Sequence, residues 1–188
     1  MKKIKKYIIL LIISVQFVLF NSDVVYSQQY SEYEVKAGYL YNFIKFVNWP
    51  NYSFDNEYAP FVIGIYGDDP FDDILENAFK DRTLYDRKWL LIHYNTLEEI
   101  NDCNLLFISG VNRTELLKVL DVVKEKSILT IGDNVEDFCE LGGIINFTKQ
   151  NSKNRFEINN EAAMNVKLVI SSKLLSLAKI INKNENRF

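Results

Sequence analysis

Four short, dense apolar runs recur through the middle of the chain: Phe61 to Gly67 (FVIGIYG), Trp89 to Tyr94 (WLLIHY), Leu105 to Ser109 (LLFIS) and Ile128 to Ile131 (ILTI). Their length and continuity are those of strands covered on both faces, as in a parallel sheet flanked by helices. A helix-start signal follows each run. Asp69-Pro70 supplies an N-cap and a first-turn proline, with Asp72 near the positive helix end; Thr96 to Glu99, Asn112 to Glu115 and Asp133 to Glu136 have capping-box spacing. Four strand–helix units in succession predict a right-handed parallel arrangement.

The pattern changes on either side of this block. Upstream, Glu32 to Trp49 predicts a helix stopped by Pro50. One stripe holds Tyr33, Ala37, Leu40, Ile44 and Val47, a second holds Val35, Tyr39, Phe43 and Phe46, and only Glu34, Gly38, Asn42 and Lys45 remain on the polar side. Two readings of the second stripe stay open: a helix wedged between the sheet and the C-terminal helix, or a partner or homodimer surface built on Val35, Tyr39, Phe43 and Phe46. Downstream, Gly142-Gly143 ends a short helix after Asp133. Ile144 to Thr148 and Arg155 to Ile158 predict a hairpin closing one sheet edge. Glu161 to Val166 reads as a short helix, Leu168 to Ile170 as a short strand, and Lys173 to Asn182 as an amphipathic C-terminal helix. The fold class is therefore α/β: a single three-layer domain, a mostly parallel sheet of βα units with a C-terminal β-hairpin edge and flanking helices.

The amino terminus reads as an export signal. Lys2, Lys3, Lys5 and Lys6 precede an apolar stretch from Tyr7 to Phe20, and Val25-Tyr26-Ser27 fits a cleavage site before Gln28. About 14 apolar residues fall short of the roughly 20 that a membrane span needs. Residues 1–27 are thus expected to leave, and residues 28–188 to be the mature exported domain, with no membrane insertion after cleavage. Processing removes four lysines and Asp23 and leaves 18 basic against 24 acidic groups. That balance argues against nucleic acid or an anionic membrane surface as partner.

Candidate chemistry is sparse. The one histidine, His93, lies inside an apolar strand, and no serine sits in a nucleophile-elbow pattern. The acidic run Asp68-Asp69-Pro70-Phe71-Asp72-Asp73 is accounted for by helix capping, so no metal is assigned. A phospho-receiver reading fails because the third run ends Ile108-Ser109-Gly110, without an aspartate. Open α/β sheets bind ligands at the carboxyl ends of their strands, which makes Asp68, Ser109 and Asp133 the ligand-binding candidates, beside Gly67, Gly110 and Gly132. No catalytic set and no cofactor are predicted.

Certain segments carry a resemblance. They are Glu34-Val35-Lys36-Ala37-Gly38-Tyr39-Leu40-Tyr41-Asn42-Phe43 through Phe46-Val47-Asn48-Trp49-Pro50, Ile63-Gly64-Ile65 with Gly67-Asp68-Asp69-Pro70-Phe71, Cys103-Asn104-Leu105-Leu106-Phe107-Ile108-Ser109, Gly142-Gly143-Ile144-Ile145-Asn146-Phe147, Arg155-Phe156-Glu157-Ile158-Asn159 and Ile170-Ser171-Ser172-Lys173-Leu174-Leu175. In this order they resemble the YfiR-like family of exported bacterial proteins. The resemblance implies a non-catalytic periplasmic repressor that holds down the periplasmic domain of an inner-membrane signalling protein, a diguanylate cyclase or other sensor. It also implies redox-sensitive cysteine pairing. For Cys103 and Cys139, an internal disulfide, free buried thiols and an intermolecular bond all remain open. The rival reading is a periplasmic small-ligand-binding protein, or a hydrolase, using the strand carboxyl edges.

Overall fold

The computed structural model describes residues 31–151 and 153–181. The export signal, its cleavage near Ser27 and Gln28, and Asn182 lie outside the described residues. Helix α1 (Glu32–Phe46) starts at a full capping box: Ser31 Oγ accepts from Glu34 N at 3.2 Å, and Glu34 Oε2 accepts from Ser31 N at 2.5 Å. It ends before Trp49. Val47 turns extended, and β1 (Val47–Asn48) pairs antiparallel with β8 (Val169–Ile170) in a small separate sheet, while Ser171 N donates to the freed Phe46 carbonyl at 2.8 Å.

The main sheet contains the four predicted strands in parallel. Strands β2 (Phe61–Gly67), β3 (Trp89–Tyr94), β4 (Leu105–Ser109), β5 (Leu129–Asp133) and β6 (Ile145–Gln150) lie in the order β3-β2-β4-β5-β6. Strand β7 (Lys153–Ile158) pairs antiparallel with β6 as the hairpin expectation required. It is not the edge: β9 (Lys179–Ile180) adds to it in parallel, so seven strands form the sheet. The C-terminal amphipathic helix is corrected by this strand. Only α5 (Ser172–Leu175) is helical, and Ile181 N donates to Ile158 O at 2.9 Å.

The helix signals held unevenly. Asn112 caps α3 (Arg113–Val123), accepting from Glu115 N at 3.0 Å, and Asn159 caps α4 (Asn160–Asn165), accepting from Ala162 N at 2.9 Å. Helix α2 (Ile74–Phe79) starts later than Asp69-Pro70 suggested. Asp69 Oδ1 instead accepts from Phe71 N at 2.8 Å, forming a turn, and the backbone passes through a left-handed residue at Asp72 (φ 47°) before the helix. Thr96 to Glu99 closes only a 3-10 turn, and the segment after Asp133 is a series of turns rather than a helix.

Two apolar layers sandwich the sheet. On one face Ala37, Leu40, Phe43 and Ile44 of α1 pack with Ile63, Ile65, Phe107, Ile131, Phe147 and Phe156. On the other, Leu116, Val119, Leu120 and Val123 of α3 pack with Leu106, Ile108, Phe138 and Cys139. Full burial of side chains of this size contributes about 1.5–3 kcal/mol each.

Candidate functional site

Ligands of open α/β sheets approach the carboxyl ends of the strands, and there the register brings the predicted candidates side by side. Gly67 lies opposite Ser109, Ile108 opposite Gly132, and Asp68 N donates to Ser109 O at 3.0 Å. Asp68, Ser109 and Asp133 therefore end three neighbouring strands. The edge is already occupied by the chain itself. A Cβ on Gly110 would sit 2.1 Å from the Asp68 carboxylate, and one on Gly132 would sit 2.7 Å from the Phe138 ring. These close approaches belong to the protein's own side chains, so the glycines leave no room at the backbone for a ligand.

Asp133 is claimed by the first turns of α1. Its Oδ1 accepts from Lys36 Nζ at 2.5 Å, and its Oδ2 accepts from Tyr33 Oη at 3.1 Å. Both charges are buried: the side chains of Lys36 and Asp133 are 3% and 5% exposed. The lysine also meets Glu32 at 2.7 Å and lies over the Tyr33 ring at 4.5 Å from its centroid. Glu32 in turn holds Lys149 of β6 at 2.7 Å. Five groups from α1, β5 and β6 thus form one connected network. Lys149 and then Lys36 hold the Glu32 carboxyl below its usual range. Burial first, and the Asp133 charge next, push the Tyr33 phenol up to about 12.

Sequence reasoning placed Asp133 at the right edge but missed Lys36. The only signal was the Glu32–Lys36 spacing, which ordinarily marks an exposed helix pair. Burial of the lysine follows from α1 lying across the sheet, where its second turn crosses the end of β5.

The four residues proposed for a partner are not equivalent. Phe43 is fully buried and packs on Phe147 and Phe156 with ring centroids 5.6 and 5.0 Å away, so it belongs to the core and offers no surface. Tyr39 is half-buried against the same two rings, and Phe46 is half-buried beside the core. Val35 is exposed. Packing on the β6–β7 hairpin therefore accounts for much of the second stripe.

His93 faces solvent with Nε2 at 2.6 Å from Asp69 Oδ2. Both cysteines are free and buried. Cys103 lies just ahead of β4, whereas Cys139 lies next to the start of β6, with its Sγ 3.7 Å from Ile144 O; β5 separates them. Burial pushes the Cys103 thiol up to about 12 and raises that of Cys139 as well. Of the three states left open, the structure displays free buried thiols. Among the described residues no helix is long and apolar enough to cross a membrane.

Fold and site together define a class: a three-layer α/β scaffold whose carboxyl edge is plugged by its own first helix. The YfiR/HmsC-like family pattern matches residues 33–179, and the chain belongs to that family. It is a family of periplasmic regulators in cyclic-di-GMP signalling. No curated protein matches the chain.

Proposed function

We propose that this protein is a non-catalytic periplasmic regulator that binds and restrains the extracytoplasmic part of a membrane-anchored signalling protein of the diguanylate-cyclase type. The observation that carries the reading is the family match from residue 33 to 179, which runs from the first turn of α1 into β9. The carboxyl edge supports it from the chemistry. With Asp133 bound to Lys36 and Tyr33, the edge favours surface recognition over the small-ligand reading. Export after residue 27 would place the domain beside such a partner. Val35 and the open rims of Tyr39 and Phe46 are the apolar contacts that α1 retains for it.

The test is genetic and biochemical. Deleting the gene should raise cellular cyclic-di-GMP, and residues 28–188 should pull down the periplasmic domain of one inner-membrane cyclase. An unchanged nucleotide level in the deletion strain, together with no cyclase retained, would overturn the reading.

A further inference from the structure

At the amino end of the sheet, opposite the edge that α1 fills, a cleft of about 400 Å³ lies between the segment 51–60 and the turns that lead into β4 and β5. That volume is in the range of small-ligand sites. Asn104 lies on its floor, with its side-chain amide spent on Val62 N and Ser53 O. The segment 51–60 is held from outside. Arg87 Nη1 donates to Asn56 O at 2.7 Å and to Ala59 O at 2.8 Å, and its guanidinium lies 4.2 Å from the centroid of the Phe54 ring. Tyr52, 70% exposed, is tied to the turn before β5: its Oη lies 3.3 Å from Ser127 Oγ, which donates to Val166 O at 2.7 Å. A tyrosine this exposed adds little to the core. Yet the segment that carries it and the ring itself are both anchored, as a preorganised binding platform requires.

The polar groups that line the cleft have unspent capacity of both kinds. Asp55 and Asp102 are exposed carboxylates that make no ion pair among the described residues. Lys126 spends one of its three donors, on Ile100 O at 2.8 Å. Asn101 donates through Nδ2 to Glu98 O at 3.0 Å, which leaves its Oδ1 to accept. Ser53 Oγ is buried with no hydrogen-bond partner among the described residues, a state that native hydroxyls seldom keep.

We propose that this cleft binds a neutral saccharide, with Tyr52 as the stacking platform and Asp55, Asp102, Lys126 and Ser53 as its hydrogen-bonding partners. Other ligand classes fit the lining worse. Two carboxylates against one ammonium repel an anion, the ammonium opposes a bare cation, and an apolar ligand would cover Asp55, Asp102 and Ser53 without pairing them. A sugar meets all of these groups together. Each of its hydroxyls both donates and accepts, so adjacent hydroxyls serve a carboxylate and the ammonium at once, while the C–H face of the ring lies flat on the Tyr52 ring. Val35, Tyr39 and Phe46 are not among the lining residues, so the proposal does not depend on the regulatory reading.

Titration calorimetry of the purified protein tests it, using three uncharged trisaccharides: α-linked glucose, β-linked glucose and β-linked N-acetylglucosamine. At least one should bind saturably at one site per chain. Tyr52→Ala should weaken that binding by about tenfold or more, the equivalent of about 1.4 kcal/mol. Asp102→Asn, which keeps the shape of the cleft but removes a charged acceptor, should weaken it too. Ser53→Ala should weaken binding while the melting temperature stays the same or rises, because the hydroxyl it removes has no partner in the folded protein. Tyr58→Ala, an 84% exposed position on the same segment but outside the cleft, should bind as the wild type does. Absence of binding by all three sugars would overturn the proposal. So would binding that neither Tyr52→Ala nor Asp102→Asn weakens, or that Tyr58→Ala weakens equally. Leucine as a zwitterionic probe completes the series: saturable binding of leucine in place of the sugars would make this an amino-acid site and overturn the saccharide assignment.

Discussion

The two ends of the parallel sheet are closed by different chemistry. At the carboxyl end the closure is ionic: Lys36, Asp133, Tyr33, Glu32 and Lys149 join α1 to β5 and β6. At the amino end it is a neutral amide. Asn104 Oδ1 accepts from Val62 N at 2.8 Å and Nδ2 donates to Ser53 O at 3.2 Å, while its backbone carbonyl accepts from Trp49 Nε1 at 3.1 Å and Leu129 N at 2.9 Å. Each device ties a segment preceding the sheet to a strand end. A buried ion pair must offset a large desolvation cost and loses heavily if one member is removed, whereas a satisfied amide carries no net charge to strand. The difference makes one end of the molecule sensitive to pH and to single substitutions, and the other far less so.

The largest expected effect is at the ionic end. Asp133→Ala leaves Lys36 buried with only the half-exposed Glu32 as partner, and should cost about 3–5 kcal/mol. For a domain of this size that lowers the melting temperature by roughly 10 °C or more. Lys36→Met combined with Asp133→Leu removes both charges together and should recover most of the loss. A double variant as unstable as the single one would show that hydrogen-bond geometry, not the stranded charge, dominates.

At the amide end, Asn104→Ala should cost about 1–3 kcal/mol by leaving Val62 N and Ser53 O short of a partner. The change in melting temperature between variant and wild type should be the same at pH 5 and pH 9. A difference that varies with pH would contradict the contrast between the two ends.

The smallest effects are the pH limbs themselves. Tyr33 has its phenol raised from 10.0 to about 12, so the folded state keeps a proton that the unfolded chain has lost. Its contribution is fully present below pH 10 and disappears as pH rises toward 12. Tyr66, Tyr85, Tyr94 and Cys103 shift in the same direction, so Tyr33→Phe should lessen the alkaline fall in melting temperature without abolishing it. Glu32 is lowered from 4.5: its contribution is present above that value and disappears as pH falls through the lower folded value. Glu32→Gln should flatten the acid limb slightly. Melts at closely spaced pH values decide both, and an acid limb unchanged by Glu32→Gln would remove this residue from the network's energetics.

The same contrast explains which parts were legible in the sequence. The amino-proximal strands β2 to β4 were read with their ends because each is a continuous apolar run whose signal is local. The carboxyl third was not. Lys173 to Asn182 repeats apolar residues at helical spacing, yet β7 offers an open edge, and Glu157 and Ile158 pair with Lys179 and Ile180 as strand neighbours. Edge pairing overrode a pattern that supports only one turn of helix alone. Asp133 carried capping spacing to Glu136, but its carboxylate went to a lysine 97 residues earlier.

Periodicity, caps and turn residues therefore determined from the sequence alone that this is an α/β chain, where its parallel strands run, and that Asp68, Ser109 and Asp133 share one edge. Each of these depends on neighbours within a few residues, or on the one rule that successive βα units wind the same way. Tertiary structure decided what fills that edge, which residues of the second α1 stripe are core, and how the last strand is spent. Those outcomes depend on which buried group meets which. Lys36 becomes a buried cation only because α1 lies across the end of β5, and Phe43 becomes core only because β6 and β7 bring Phe147 and Phe156 beneath it.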